Sequence, residues 1–215
     1  MEDLMVSNVL VPMVIENTGK GERSMDIYSK MLDERIVFMN GQVEENMAQI
    51  ISAQLLFLDY KDRGAPISLY INSPGGSVHA GLAIYDTMQF VKSPVHTIVM
   101  GMAASMGSFI AQAGAKGNRF VLPESTTMIH RVSSGTRGTS GTIYEQDLQW
   151  KDMEASRNHS IHLNERLTRL YAKHNSAGKK FEEFLETMKH DTWLTAHQAV
   201  EWGLADKVVD SLAEV

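Results

Sequence analysis

The chain has 215 residues, 43% of them hydrophobic, and a formal net charge of -6 at pH 7, which describes one sizeable globular unit with enough apolar material for a real core. A pI near 5.7 argues against a nucleic-acid-binding surface, and the absence of cysteine excludes disulfides, thiolate metal sites and a cysteine nucleophile. The acidic start MEDLMVSNVL is unlike a secretory signal, so the expectation is a cytoplasmic protein.

In chain order, residues 1–23 show no sustained period: the apolar VLVPMVI can pack or pair as a strand, and Gly19-Lys20-Gly21 reads as a mobile loop. Ser24 is placed to cap a helix over residues 25–32. A short strand follows at 36–39, closed by Asn40-Gly41, and then an amphipathic helix over 43–60 with Met47, Ile50, Ile51, Gln54, Leu55 and Leu58 recurring at three and four. Residues 62–66 are a loop, 67–71 a strand, and 72–77 (NSPGGS) a tight turn into a helix over 78–92 that stops before Pro94. Strand and helix alternating at short spacing predict an α/β domain with parallel strands joined by right-handed crossovers.

The stretch 95–115, VHTIVMGMAASMGSFIAQAGA, organises the rest. Its apolar run 96–100 reads as a buried strand broken by Gly101, and the pattern turns helical from about Ala104, with Gly107, Ser108 and Ala111 allowing close packing. Ser105 therefore sits at a sharp strand-to-helix turn, where its hydroxyl is lifted out of the sheet beside the first N–H groups of a helix. The stretch carries no Asp, Glu, Lys or Arg, but its Gly, Ser, Gln and His content does not fit a membrane span.

Strands are expected at 119–122 and 126–129, with His130 at the end of the second. Residues 131–141 are either a flexible loop or an exposed, weakly specified strand. A charged helix over 142–174, with apolar positions Ile143, Leu148, Met153, Ile161, Leu167 and Leu170, is too long to bury itself on a small sheet and is expected to project toward another subunit. A shorter helix spans 179–189. Thr195 with Gln198 forms a capping-box pattern, Ala199 and Trp202 face inward, and Gly203 precedes a final strand at 206–209.

A serine nucleophile needs a base, and the base an orienting carboxylate. Eight histidines make the base easy to nominate and hard to choose; His130, on rigid backbone at a strand end, is the best placed, and Asp191 is a candidate orienter. Gly75-Gly76, between a strand and a helix, has unhindered N–H groups that can reach an oxyanion, although a plain steric turn explains the pair as well. His159 and His162 lie one helical turn apart without a third ligand nearby and read as solvated surface, so no metal or cofactor is expected.

The segments INSPGGS (71–77), IYDTMQF (84–90), GMAASMGS (101–108), AGAKGNRFVLP (113–123), MIH (128–130) and HDTWLTAHQAVEWGLAD (190–206), with LVPMVIENTGKGERSMDIYSKML near the start, resemble the Clp protease proteolytic subunit family (ClpP). The resemblance implies a crotonase-like ββα superhelix. It implies Ser105 as nucleophile, His130 as general base, Asp191 as its orienting acid, and the backbone N–H groups of Gly76 and Met106 as oxyanion donors. It further implies homomeric heptameric rings stacked into a tetradecamer, with residues 1–23 as axial loops behind a possible short propeptide, residues 24–215 as the peptidase domain, and 131–178 as the handle. Tyr70 and Phe90 match aromatic positions of a pocket that docks an AAA+ unfoldase such as ClpX, ClpA or ClpC, with ordinary core packing as the other reading. No Walker A motif is present, so a partner must hydrolyse the ATP.

Three positions depart from the family pattern: Arg131-Val132 replaces the usual Gln-Pro after the histidine, His190 stands where arginine is common, and the segment from His130 to Asp191 is longer than expected. These bear on ring pairing and activation. The rivals are an acyl-CoA enzyme of the same fold, which has no need of the Ser, His, Asp set, and a catalytically silent ring scaffold, whose mark would be a missing member of that set.

Overall fold

The computed structural model describes residues 10–19, 21–132 and 143–215, and of residues 18 and 143–153 the backbone only. The fold is mixed α/β, as the alternation predicts. Strands β1 (Met13–Thr18) and β2 (Gly21–Asp26) form an antiparallel hairpin of their own. This pairing draws Ser24 into a strand opposite Ile15, so the expected cap moves to Asp26, whose carboxylate accepts the Ser29 amide at 3.0 Å and starts helix α1 (Ile27–Asp33). Residues 1–9 of the expected axial segment lie outside the described residues.

The main sheet runs β3 (Ile36–Asn40), β4 (Ile67–Ser73), β5 (Val95–Ala104), β6 (Arg119–Val121) and β9 (Lys207–Val208), all parallel. Helices α2 (Glu45–Lys61) and α3 (Val78–Phe90) cross over it. Their apolar stripes, Ile51, Leu55 and Leu58 on one and Ile84 and Met88 on the other, meet the alternating Ile67, Leu69 and Ile71 of β4 in the main core. Each such side chain taken out of water contributes roughly 1.5–3 kcal/mol. Ile98, Phe120 and Val209 form a second small cluster with Tyr70 packed against it. Ile50, expected on the apolar stripe, is instead 58% exposed.

Gly101 does not end β5. The strand bulges there, with Gly101 at φ 74° and its missing Cβ leaving room for the Asn72 carboxamide, and continues to Ala104. Past the bulge it changes partner: Thr97–Val99 pair with β6, whereas Met102–Ala104 pair with β7 (Thr126–Ile129). Helix α4 (Met106–Gln112) begins immediately afterwards, two residues later than the pattern indicates.

A strand without a sequence-level forecast, β8 (Thr192–Thr195), pairs antiparallel with β7. The expected capping box follows it and starts α7 (Ala196–Glu201), while α6 (Phe181–Thr187) is shorter than expected because Lys180 serves as its cap. Helix α5 (Ile143–His174) is 32 residues long. Among its described side chains, those from Glu154 to His159 are exposed, and Leu167, Thr168 and Tyr171 toward its end are buried. Residues 133–142, the loop-or-strand segment of the handle, lie outside the described residues.

Candidate active site

Ser105 occupies the single-residue turn between β5 and α4 with φ 53° and ψ -121°, a left-handed backbone that costs a non-glycine residue on the order of 1–3 kcal/mol. Local bonds hold it there. Its amide donates to the Met128 carbonyl of β7 at 2.9 Å, and its carbonyl accepts from Ser108 Oγ at 2.7 Å and from the Phe109 amide at 3.1 Å.

Gly75 packs directly against this turn. A Cβ on Gly75 would lie 2.6 Å from Ser105 Cβ and 2.7 Å from the Ala104 carbonyl, and the residue's φ of +91° already favours glycine. The Gly75-Gly76 turn is clamped from the other side by Val43, whose amide donates to the Gly75 carbonyl at 2.9 Å and whose carbonyl accepts from the Ser77 amide at 2.8 Å. That bridge leaves the Gly76 amide out, and the Met106 amide, first in α4, has no intrahelical acceptor. Gly76 and Met106 line one cleft with Ser105 and His130.

His130 follows β7, and Asp191 precedes β8. Their strands are paired with Ile129 opposite Thr192, so the two side chains become neighbours across 61 residues of sequence. His130 Nε2 lies 2.9 Å from Ser105 Oγ, and Nδ1 lies 3.1 Å from Asp191 Oδ1. A carboxylate can only accept, so Nδ1 carries the proton and Nε2 presents its lone pair to the serine hydroxyl. The histidine side chain is 24% exposed and the aspartate 62%. The cleft beside them is lined by Val78, Phe109, Leu167 and Tyr171, and by Arg131 and Val132. Chemically, this is a hydroxyl whose proton has an acceptor, in a cleft that Gly76 and Met106 also line.

The other sequence candidates do not join the site. Tyr70 is half-buried on β4, 5.7 Å from the Phe38 ring, while Phe90 is 77% exposed at the end of α3; among the described residues no ring contact joins the two. His159 and His162 are exposed on α5, and the His79 ring stacks on His159 at 5.5 Å. No group of three or more His, Asp or Glu side chains able to hold a metal occurs among the described residues. Sequence reasoning passed over Tyr171, whose buried hydroxyl reaches the Ser105 turn; its spacing four after Leu167 placed it on the inward face of α5, but nothing local pointed to the serine.

A hydroxyl, imidazole and carboxylate in hydrogen-bonded line, at a strand-to-helix turn of a parallel α/β sheet, have the geometry of a serine hydrolase. A family model described as Clp protease matches residues 19–212. The ATP-dependent Clp protease proteolytic subunit of Streptococcus agalactiae serotype V is 47% identical over 202 residues, covering 94% of this chain and 98% of that protein. The chain belongs to the Clp protease family and is a proteolytic subunit of it, a serine peptidase.

Proposed function

We propose that Ser105, His130 and Asp191 carry out the peptide-bond hydrolysis of this subunit as a catalytic triad. The observation that carries this reading is the unbroken line from Ser105 Oγ through both nitrogens of His130 to Asp191, with 2.9 and 3.1 Å links. His130 takes the serine proton as Oγ attacks the substrate carbonyl. The amides of Gly76 and Met106 receive the oxyanion, and His130 then protonates the leaving amine before water resolves the acyl-enzyme. Asp191 holds the imidazole in the tautomer that leaves Nε2 able to accept.

The assembly side of the proposal is a homomeric double ring of two heptamers that encloses these sites, with α5 as the handle between rings, residues 1–23 as axial loops, and an AAA+ ATPase delivering unfolded protein. What supports it is the name of the Streptococcus relative, which is an ATP-dependent subunit, together with apolar side chains left open on the single chain. Ile50, Phe57, Tyr60 and Phe90 are 50 to 86% exposed, which is expensive in water and ordinary at a subunit interface. Tyr70 and Phe90 are assigned to unfoldase docking in that assembly. No helix among the described residues is long and apolar enough to cross a membrane, and the proposed location is the cytoplasm.

The test is intact-mass analysis after treatment with a fluorophosphonate, beside a Ser105→Ala control. One adduct on the wild type and none on the variant is the expected result. Labelling of both proteins, or of neither together with no peptide hydrolysis, would remove Ser105 from the mechanism.

A further inference from the structure

Behind the nucleophile lies a second hydrogen-bonded line. Tyr171, near the end of α5, is 3% exposed, with its ring stacked on Phe184 and edge-on to Phe109, each at 5.5 Å between centroids. Its backbone carbonyl accepts from Gln112 Nε2 of α4 at 2.9 Å. Its hydroxyl lies 2.7 Å from Ser108 Oγ and 3.3 Å from the Ser105 carbonyl oxygen. Ser108 Oγ in turn donates to that same carbonyl at 2.7 Å. The tyrosine hydroxyl donates to Ser108 Oγ at the shorter distance or to the carbonyl itself at the longer one. The result is a relay from α5 to the backbone of Ser105. A phenylalanine would fill the same ring space, so the hydroxyl is not needed for packing; buried without partners it would cost free energy. Burial also pushes the phenol far above its usual pKa, which keeps it a donor at any working pH.

The carbonyl it reaches belongs to the peptide unit whose N–H is that of Met106. Because a trans peptide is planar, with C=O and N–H pointing in opposite directions, anchoring one end sets the direction of the other. We propose that Tyr171, acting through Ser108 and directly on the same carbonyl, is a positioning residue for the oxyanion site: it aims the Met106 N–H into the cleft and makes the seating of α5 on α4 a condition for turnover. The inference rests on the triad reading above. Hydrogen bonding at the carbonyl also polarises the peptide unit and strengthens its N–H as a donor. The α5 side chains from Glu154 to His159 are exposed, so a neighbour that packs against that stretch is linked to the nucleophile's peptide plane through Tyr171.

The test compares wild type, Tyr171→Phe, Ser108→Ala and the double variant, each as the assembled protein. Two inhibitors sharing one peptide sequence are used, one ending in an aldehyde and one in the corresponding alcohol. The aldehyde forms a hemiacetal whose oxygen needs the oxyanion donors, and the alcohol reports only ground-state binding. Losing a donor outright costs 10²- to 10³-fold, so misaiming one is expected to lower kcat by about tenfold with KM unchanged. The aldehyde Ki should rise by the same factor and the alcohol Ki should stay put. The double variant should be at least as impaired as Ser108→Ala and less than the product of the two single effects, because both hydroxyls converge on one carbonyl.

The ratio of the two Ki values does not depend on how much of a preparation is active, and Ser108→Ala supplies it should Tyr171→Phe fold poorly. An unchanged ratio in the variants, or aldehyde and alcohol weakened alike, would overturn the proposal and leave Tyr171 a pocket-shaping residue. Those results beside an active, Ser105-labelled wild type would leave the triad reading intact, whereas an inert, unlabelled wild type would remove both.

Discussion

Ile129 of β7 is paired with Thr192 of β8, and the next residue outward on each strand is His130 on one and Asp191 on the other, 3.1 Å apart at Nδ1 and Oδ1. The antiparallel register, more than any local motif, puts the carboxylate beside the imidazole. Asp191→Asn keeps the register and the shape but loses the pure acceptor, so the imidazole can settle in the wrong tautomer. A loss of roughly 10²- to 10⁴-fold in kcat is expected, with an unchanged unfolding midpoint. Steady-state hydrolysis of a fluorogenic peptide, read beside a melting curve, checks both parts, and a fully active Asp191→Asn would remove the aspartate from the mechanism.

Gly75 is required by the approach of the Ser105 turn as well as by its own backbone. Gly75→Ala brings a methyl group within 2.6 Å of Ser105 Cβ, in a residue already at φ +91°. Since neither backbone can give way without moving Ser105, the expected outcome is at least a hundredfold loss of activity and roughly 2–3 kcal/mol of stability. Gly117→Ala is the control: its φ is +85° but nothing lies within 4 Å of the added Cβ. There the strain alone should cost about 1 kcal/mol with activity intact. Equal activity in the two variants would contradict this account.

Arg119 is 2% exposed and its guanidinium forms a two-pronged pair with Asp206, the Nε to Oδ2 bond measuring 2.8 Å. Asp206 Oδ2 also takes the Gly117 amide at 2.8 Å, and Arg119 Nη1 donates to the His174 carbonyl at 2.6 Å. Although desolvation opposes it, these partners hold the Asp206 carboxyl below its usual pKa. Asp206→Ala strands a buried guanidinium, and breaking such a pair typically costs about 3–5 kcal/mol. Urea unfolding at matched protein concentration should show a clearly lower midpoint; a shift under about 0.5 kcal/mol would mean that water reaches the arginine.

His174 sits at the end of α5 with its Nε2 3.0 Å from the Tyr85 hydroxyl, and burial, then Lys173 and Arg119, lower its pKa from 6.5 to about 4. A base with a depressed folded pKa binds more protons when unfolded between those two values. Stability should therefore fall as pH drops through the window from 6.5 to about 4, and this contribution is fully lost below it. His174→Gln removes the titration, so its stability profile across that window should be flatter than the wild type's. Parallel profiles from urea titrations at several pH values would show that His174 does not carry the effect.

The α/β alternation, the long helix, the serine at a strand-to-helix turn and the histidine at a strand end were all legible in residue order. Each depends on neighbours within a few positions: the apolar period of 43–60, the small residues of 101–108, the Thr195–Gln198 cap. What residue order did not disclose was the hairpin of β1 and β2, the continuation of β5 past Gly101, and strand β8. Those depend on which backbone edge is available to accept pairing, and that is decided by the assembled sheet. The same limit hid Tyr171, whose hydroxyl meets the Ser105 carbonyl across 66 residues. Local propensity is a property of a segment, whereas the meeting of Ser105, His130, Asp191 and Tyr171 is a property of the packing that closes the long loops between them.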